Sequence, residues 1–283
     1  KTQSVLIEQK LFQGFAGKAG YEKNKIGLSL AQAKYLKKEQ DILFKAVEAY
    51  TGLAFAKQKL EINLSNVNLS ERQVETDQSR LERGQVTLAD VAQSESSLAE
   101  SQAKLIESQN EVLISRLEYE NIIGPLENID NFDNNYEFNF EVPSSLNQAI
   151  EISKNNNPDL IISKLEYEQS EKDVTIAKAE FSPSATLSLE SSKTDDLSAT
   201  VDERDKETVK ATIKWPIIKG GENISSIKKS SFDKQRYQLI LQDTKNKIIT
   251  DTSNSWSNYQ SSKSILKATI AQLKAAEIAN EGI

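Results

Sequence analysis

Apolar residues recur at intervals of seven along two stretches of the chain that meet at Gly84. The rising series is Leu53, Leu60, Val67, Val74 and Leu81; the returning series is Val91, Leu98, Leu105, Val112 and Tyr119. A seven-residue repeat keeps one seam of a helix against a partner and imposes a left-handed supercoil. Two such arms on either side of a glycine predict a long antiparallel coiled-coil hairpin. Not one proline falls between Gly20 and Gly124. The spacing therefore predicts a helix over about 21–81, a tip over 82–88 and a return helix over about 89–123. A hairpin of this kind suits reaching or tunnel forming, and is a poor scaffold for a catalytic pocket.

Elsewhere the period changes to two. A strand is predicted over 4–13. Over about 184–192, Ala185, Leu187 and Leu189 alternate with Ser184, Thr186, Ser188 and Glu190; over about 207–217, Val209, Ala211, Ile213 and Trp215 alternate with Thr208, Lys210, Thr212 and Lys214. Two antiparallel strands joined by a polar loop of Ser, Thr and Asp are the natural reading. An Asn/Asp-rich connector covers 124–143. Helices are predicted over about 144–156 and 159–180, the second opening on Pro158 and Asp159, which suit a helix N-terminus. A last long helix is predicted over about 222–283.

Taken alone, these strands fit the half-buried sheet of a soluble protein as well as a transmembrane barrel, whose strands alternate apolar-out and polar-in. A repeat decides between them. The strand from Val5 to Gly14 feeds a long proline-free helix, and the strand ending Trp215-Pro216-Ile217-Ile218-Lys219-Gly220-Gly221 does the same, so that Gly14 and Gly220 are equivalent. The chain reads as two copies of a strand pair plus a helical hairpin, 1–143 and 144–283, in one integrated domain. The first copy is expected to lack its beginning and the second the end of its hairpin. Lys1-Thr2-Gln3-Ser4 runs straight into a strand pattern with no initiating Met and no signal peptide, the mark of a fragment.

Composition removes whole classes of function. The 283 residues include no Cys, no His and no Met, and 35 basic residues stand against 42 acidic ones for a formal charge of -7. There is no imidazole base, no thiolate nucleophile and no metal site of the usual His/Cys kinds. A Ser-His-Asp hydrolase is excluded for this chain alone, and neither catalysis nor a cofactor is expected. The acidic balance argues against nucleic acid as a partner. No stretch approaches the roughly 18 consecutive apolar residues of a membrane helix.

Several stretches resemble the TolC-like outer-membrane efflux proteins. They are the strand-to-helix signature Leu11-Phe12-Gln13-Gly14 with its partner Pro216 to Gly221, the tip from Arg80 to Val91, and the run from Ala149 through Asn157-Pro158-Asp159-Leu160 to Ala177-Lys178-Ala179-Glu180-Phe181-Ser182-Pro183-Ser184. Their order and spacing cover nearly the whole chain. The resemblance implies a mainly α fold in which long antiparallel helical hairpins are continuous with transmembrane β-barrel strands, in a homotrimeric channel-tunnel. Four strands per protomer would build one barrel in the outer membrane of a Gram-negative bacterium, and the helices would extend into the periplasm. Implied partners are a periplasmic adaptor protein, an inner-membrane transporter of the ABC, RND or a similar class, and outer-membrane lipid. The implied function is an exit duct for drug efflux or type I protein secretion.

By the same resemblance, Arg80, Gly84, Val86, Leu88, Asp90 and Val91 form the adaptor-contact tip. In a barrel, Val209, Ala211, Ile213 and Trp215 would face lipid, Lys210, Thr212 and Lys214 would face the lumen, and Trp215, Phe12 and Phe15 would sit at an interfacial aromatic girdle. Some members carry a Tyr-Asp latch on the returning arm; here Leu98 and Ala99 occupy those positions, so the latch does not carry over. The alternative is a periplasmic adaptor, which also has a coiled-coil hairpin. Its arms would be interrupted by a lipoyl-like domain of glycine-rich strands, whereas here strand passes directly into helix. A plain structural coiled coil would have no need of alternating strands.

Overall fold

The computed structural model describes residues 2–126, 141–198 and 201–281. Its elements are β1 (Thr2–Gln13), α1 (Ala16–Glu82), α2 (Leu88–Ile122), α3 (Leu146–Asn156), α4 (Pro158–Ala179), β2 (Ser184–Ser198), β3 (Val201–Lys214) and α5 (Glu222–Glu281). Most of the connector expected at 124–143 lies outside the described residues, as do 282–283. The chain divides into two compact units, Lys1–Lys37 with Val142–Ile283, and Lys38–Glu141. The cut falls inside α1, whereas the division read from the repeat falls at 143.

In the second unit the part of α1 leading up to the tip and all of α2 share the seam announced by the seven-residue spacing. Leu53, Val67, Val74 and Val91 are buried, and the other six positions of the two series are half-buried. Leu53 and Ala54 form the tightest part, covered by Tyr50, Val112, Tyr119 and Leu126. Small polar groups fill the rest. Ser94 and Ser108 are buried and donate to the carbonyls of Val91 and Leu105, and Ser70 and Ser101 meet hydroxyl to hydroxyl across the seam at 3.0 Å. Those local bonds satisfy hydroxyls that would otherwise be costly to bury.

In the first unit, α4 presents Ser163, Ser170 and Ala177, buried and seven apart. Their small side chains leave room for neighbouring helices to approach, and the two serines donate to the carbonyls of Leu160 and Tyr167. A ladder of ion pairs ties α4 to the start of α1: Lys172–Glu22 at 2.7 Å, Lys23–Asp173 at 2.6 Å, Lys34–Glu166 at 2.9 Å and Lys37–Asp159 at 2.8 Å. Each is partly exposed and contributes about 0–1 kcal/mol, so the ladder sets alignment more than stability. On the other side Lys234 of α5 reaches Glu171 at 2.7 Å and lies over the ring of Tyr167. Hydrogen bonding from Lys234 holds the Glu171 carboxyl below the usual range.

The three strands form one antiparallel sheet in the order β1-β2-β3. Both strands of the β2–β3 hairpin differ from the expected bounds. The stretch read as a polar loop is strand on both sides, with Ser191↔Glu207, Lys193↔Asp205 and Asp195↔Glu203 still paired. Ladder hydrogen bonds are made by backbone and need no apolar face. At the other end β3 stops at Lys214, so Trp215 is a correction: it lies beyond the strand, before Pro216, which has no N–H to give a ladder.

Both strand-to-helix junctions rest on the turn between α4 and β2. Gly14, at φ 55°, sits so close to it that a Cβ would lie 2.3 Å from the Ser182 Cβ and 2.8 Å from the Ala179 carbonyl oxygen. The Trp215 indole N–H donates to the Phe181 carbonyl at 3.1 Å, and the Asn223 amide donates to that of Glu180 at 3.2 Å. Phe15 follows Gly14 with φ 68° and packs edge-on against Phe12.

Candidate functional site

Two places carry the residues singled out from the sequence. The first is the hairpin tip. α1 ends in two crossed backbone bonds, Gly84 N–H to the Leu81 carbonyl (2.8 Å) and Gln85 N–H to that of Arg80 (2.9 Å), with Gly84 left-handed at φ 71°. This is the Schellman arrangement, which satisfies carbonyls that a helix end leaves open. α2 starts with a reciprocal cap: the Thr87 hydroxyl accepts from the Asp90 N–H, and the Asp90 carboxylate accepts from the Thr87 N–H at 2.8 Å. The backbone N–H of Thr87, then its hydroxyl, hold the Asp90 carboxyl below the usual aspartate range.

The six tip residues do not share one environment. Arg80, Gly84, Leu88 and Asp90 are exposed, Leu88 to 76%; Val86 is half-buried; Val91 is buried at 7% and begins the seam. A partner reaching the tip would meet Leu88, part of Val86 and the charges of Arg80 and Asp90, while Val91 shapes the hairpin from within. Thr87, the residue that starts α2, was missed; the Thr-x-x-Asp spacing ahead of an apolar run was its signal.

The second place is the sheet. Register sorts its side chains into two faces. One face carries the rungs Ile7–Leu189–Val209, Gln9–Leu187–Ala211 and Phe12–Ala185–Ile213; the other carries Glu8–Ser188–Lys210, Lys10–Thr186–Thr212 and Gln13–Ser184–Lys214. Lys210, Thr212 and Lys214 therefore share one face, and Val209, Ala211 and Ile213 the opposite one. A bulge at Leu11 keeps the sorting intact: were Leu11 paired in regular alternation, Phe12 would fall on the same face as the lysines. The apolar face is uncovered, with Val209 71% and Ile213 77% exposed. The polar face forms a trough of ≈ 450 Å³. Among the described residues no group of His, Cys, Asp or Glu could hold a metal ion, and no helix is long and apolar enough to cross a membrane.

Similarity to known proteins follows the same elements. The outer membrane efflux protein family matches residues 2–125 and 149–281. The chain belongs to that family. It is 22% identical to the outer membrane efflux protein BepC of Brucella suis biovar 1 (strain 1330) over all of this chain and 61% of BepC. It is also 22% identical to the alkaline protease secretion protein AprF of Pseudomonas aeruginosa, over 94% of this chain and 56% of AprF. The chain thus spans about three fifths of the curated relatives it matches. The fold is shared with CusC (TM-score 0.81, 14% identity, 98% of this chain and 65% of that one) and with the outer membrane protein VceC of Vibrio cholerae (TM-score 0.76, 18% identity, 92% and 62%). The family is one of outer-membrane channel proteins rather than enzymes. Membership places the protein in the outer membrane of a Gram-negative bacterium, extending into the periplasm.

Proposed function

We propose that the protein is one protomer of a homotrimeric channel-tunnel, an exit duct for drug efflux or type I protein secretion that works with a periplasmic adaptor and an inner-membrane transporter. The observation that carries this is the sheet: three strands, apolar and uncovered on one face, polar on the other, with free edges at β1 and β3. In lipid an open edge leaves backbone groups unpaired at several kcal/mol each, so such a sheet is viable only when it closes on further strands. Closure through three copies gives a barrel with Val209, Ala211 and Ile213 toward lipid, Trp215 near the interface, and Lys210, Thr212 and Lys214 toward the lumen. Large apolar side chains left exposed on the helices, among them Phe44 and Phe55 on α1 and Ile265 and Leu273 on α5, support burial against further helices.

BepC is named for efflux and AprF for protease secretion, and both activities suit a passive duct. The tip is the surface we assign to the adaptor, through Arg80, Gly84, Val86, Leu88 and Asp90, with Val91 holding the arms together. The reading of the chain as an adaptor itself is not favoured, because the family match runs through strands as well as helices. A pair of substitutions in the full-length protein tests the duct. Ile213→Arg should cost about 2–4 kcal/mol if the residue lies near the bilayer midplane and so impair trimer assembly, while Thr212→Arg should assemble and alter conductance. Equal assembly defects, or recovery of the full-length protein as a soluble monomer, would reject the reading.

A further inference from the structure

We infer that the polar face of the sheet makes the barrel an anion-preferring stretch of the channel, so that the solutes it favours in transit are negatively charged. The inference rests on the lumen assignment proposed above and goes beyond it by naming the charge class of what passes.

The ground is a sorting of charge across the sheet that runs against the chain as a whole. The protein carries a net -7, yet its trough is basic. Lys10, Lys210 and Lys214 line it with Glu8 as the one acid. Farther along the same face the register adds Lys206 and Arg204 against Glu190. The opposite face is reversed: Asp195, Glu203, Asp205 and Glu207 stand against Lys193, which pairs with Glu203. Among the described residues none of Lys10, Lys210 and Lys214 is held in an ion pair. Their charge is open to the trough.

Geometry makes these charges act together. Lys10 sits on the rung of Thr212, and Lys210 and Lys214 sit two residues to either side of it. Strand spacing of about 4.8 Å and a rise of about 3.3 Å per residue put each of the three lysines within about 10 Å of Thr212, roughly the screening length at 0.1 M salt. Their fields therefore add. A narrow passage with low-dielectric walls focuses such a field and raises the local concentration of the opposite charge. A symmetric closure would repeat the lysines around the lumen.

The test uses the absence of cysteine from the chain. Thr212→Cys, in the full-length protein with any cysteine outside these residues changed to Ser, places one thiol at the centre of the trough after reconstitution in liposomes. Modification rates are measured with an anionic sulfonatoethyl and a cationic trimethylammonioethyl methanethiosulfonate, each divided by its rate with a free thiol. Any change in thiol acidity affects both reagents alike, so their ratio reports the local potential. One kT per unit charge gives a ratio of about sevenfold in favour of the anion. The ratio should fall toward one in Lys10→Gln/Lys210→Gln/Lys214→Gln, and also at 1 M salt, where screening acts within about 3 Å; the salt arm needs no further substitution. A ratio at or below one at low salt, or one that neither charge removal nor salt changes, overturns the inference and leaves the duct intact. A thiol that reacts with neither reagent sinks the lumen assignment, and the inference with it.

Discussion

Gly14 and Gly220 have almost the same φ, 55° and 54°, at the two places where strand hands over to long helix. Their surroundings differ completely. A Cβ on Gly14 would be driven into Ser182 and the Ala179 carbonyl, whereas one on Gly220 would meet nothing within 4 Å. At the second junction the chain is held by side chains instead, through Trp215 and Asn223 on the same turn. One junction is fixed by close backbone approach and the other by hydrogen bonds at arm's length. The two junctions thus share a torsion angle and differ in how they are packed.

The largest effect should come from Gly14→Ala. It combines a left-handed residue with a β-carbon, about 1–2 kcal/mol, with overpacking of about 1–3 kcal/mol, and thermal unfolding of the assembled protein should show a loss near the sum. Ser182→Gly in the same chain should recover the share of the overpacking due to Ser182 and leave that due to the Ala179 carbonyl; full recovery or none would show that the close approach is misassigned. Next comes Gly220→Ala, which should cost only the conformational part, about 1–2 kcal/mol. Equal losses at the two glycines would dissolve the contrast. Trp215→Phe keeps an aromatic ring and removes the indole donor, and should cost about 1 kcal/mol in the same measurement, with no comparable side chain to delete at the first junction.

The smallest effect is at the tip, whose glycine is as open as Gly220. Asp90 has a carboxyl that folding holds below the ordinary value of 3.8. The stabilisation from its ionised form is complete above that value and is lost as the pH falls below it, through the lower folded-state value. Fraying of the first turn of α2, followed by amide exchange at Thr87 and Asp90, should appear only on that acid side. Fraying that sets in at neutral pH would count against the reciprocal cap.

What the chain discloses without its structure depends on whether a residue's role changes its hydrophobicity pattern. The seam was legible because apolar residues recur every seven positions on each arm, Leu53, Val67 and Val74 in one series and Val91 at the head of the other. The spacing of Ser163, Ser170 and Ala177 on α4 is just as regular, yet small and hydroxylated residues do not register as a buried stripe. The hairpin from Ser191 to Glu207 stayed hidden for a related reason: with polar side chains on both faces, period two carries no contrast. The ion-pair ladder between α1 and α4 joins residues about 120 to 150 positions apart in sequence, beyond any local rule. At the tip, the turn, its glycine and the seam position of Val91 could be read directly, while the half-burial of Val86 beside the exposed Leu88 needed the packed hairpin.

The bulge at Leu11 makes β1 a matter of parity. Lys10 pairs with Thr186 and Phe12 with Ala185, so Leu11 is the one residue of β1 between them that opposes nothing. Deleting it leaves every remaining residue on the face it already occupies. Deleting Gln9 turns over all that precedes it, sending Ile7 and Val5 to the lysine side and Glu8 to the apolar side. Loss of a single codon is thus nearly silent at one position of this strand and inverts half of it two positions away.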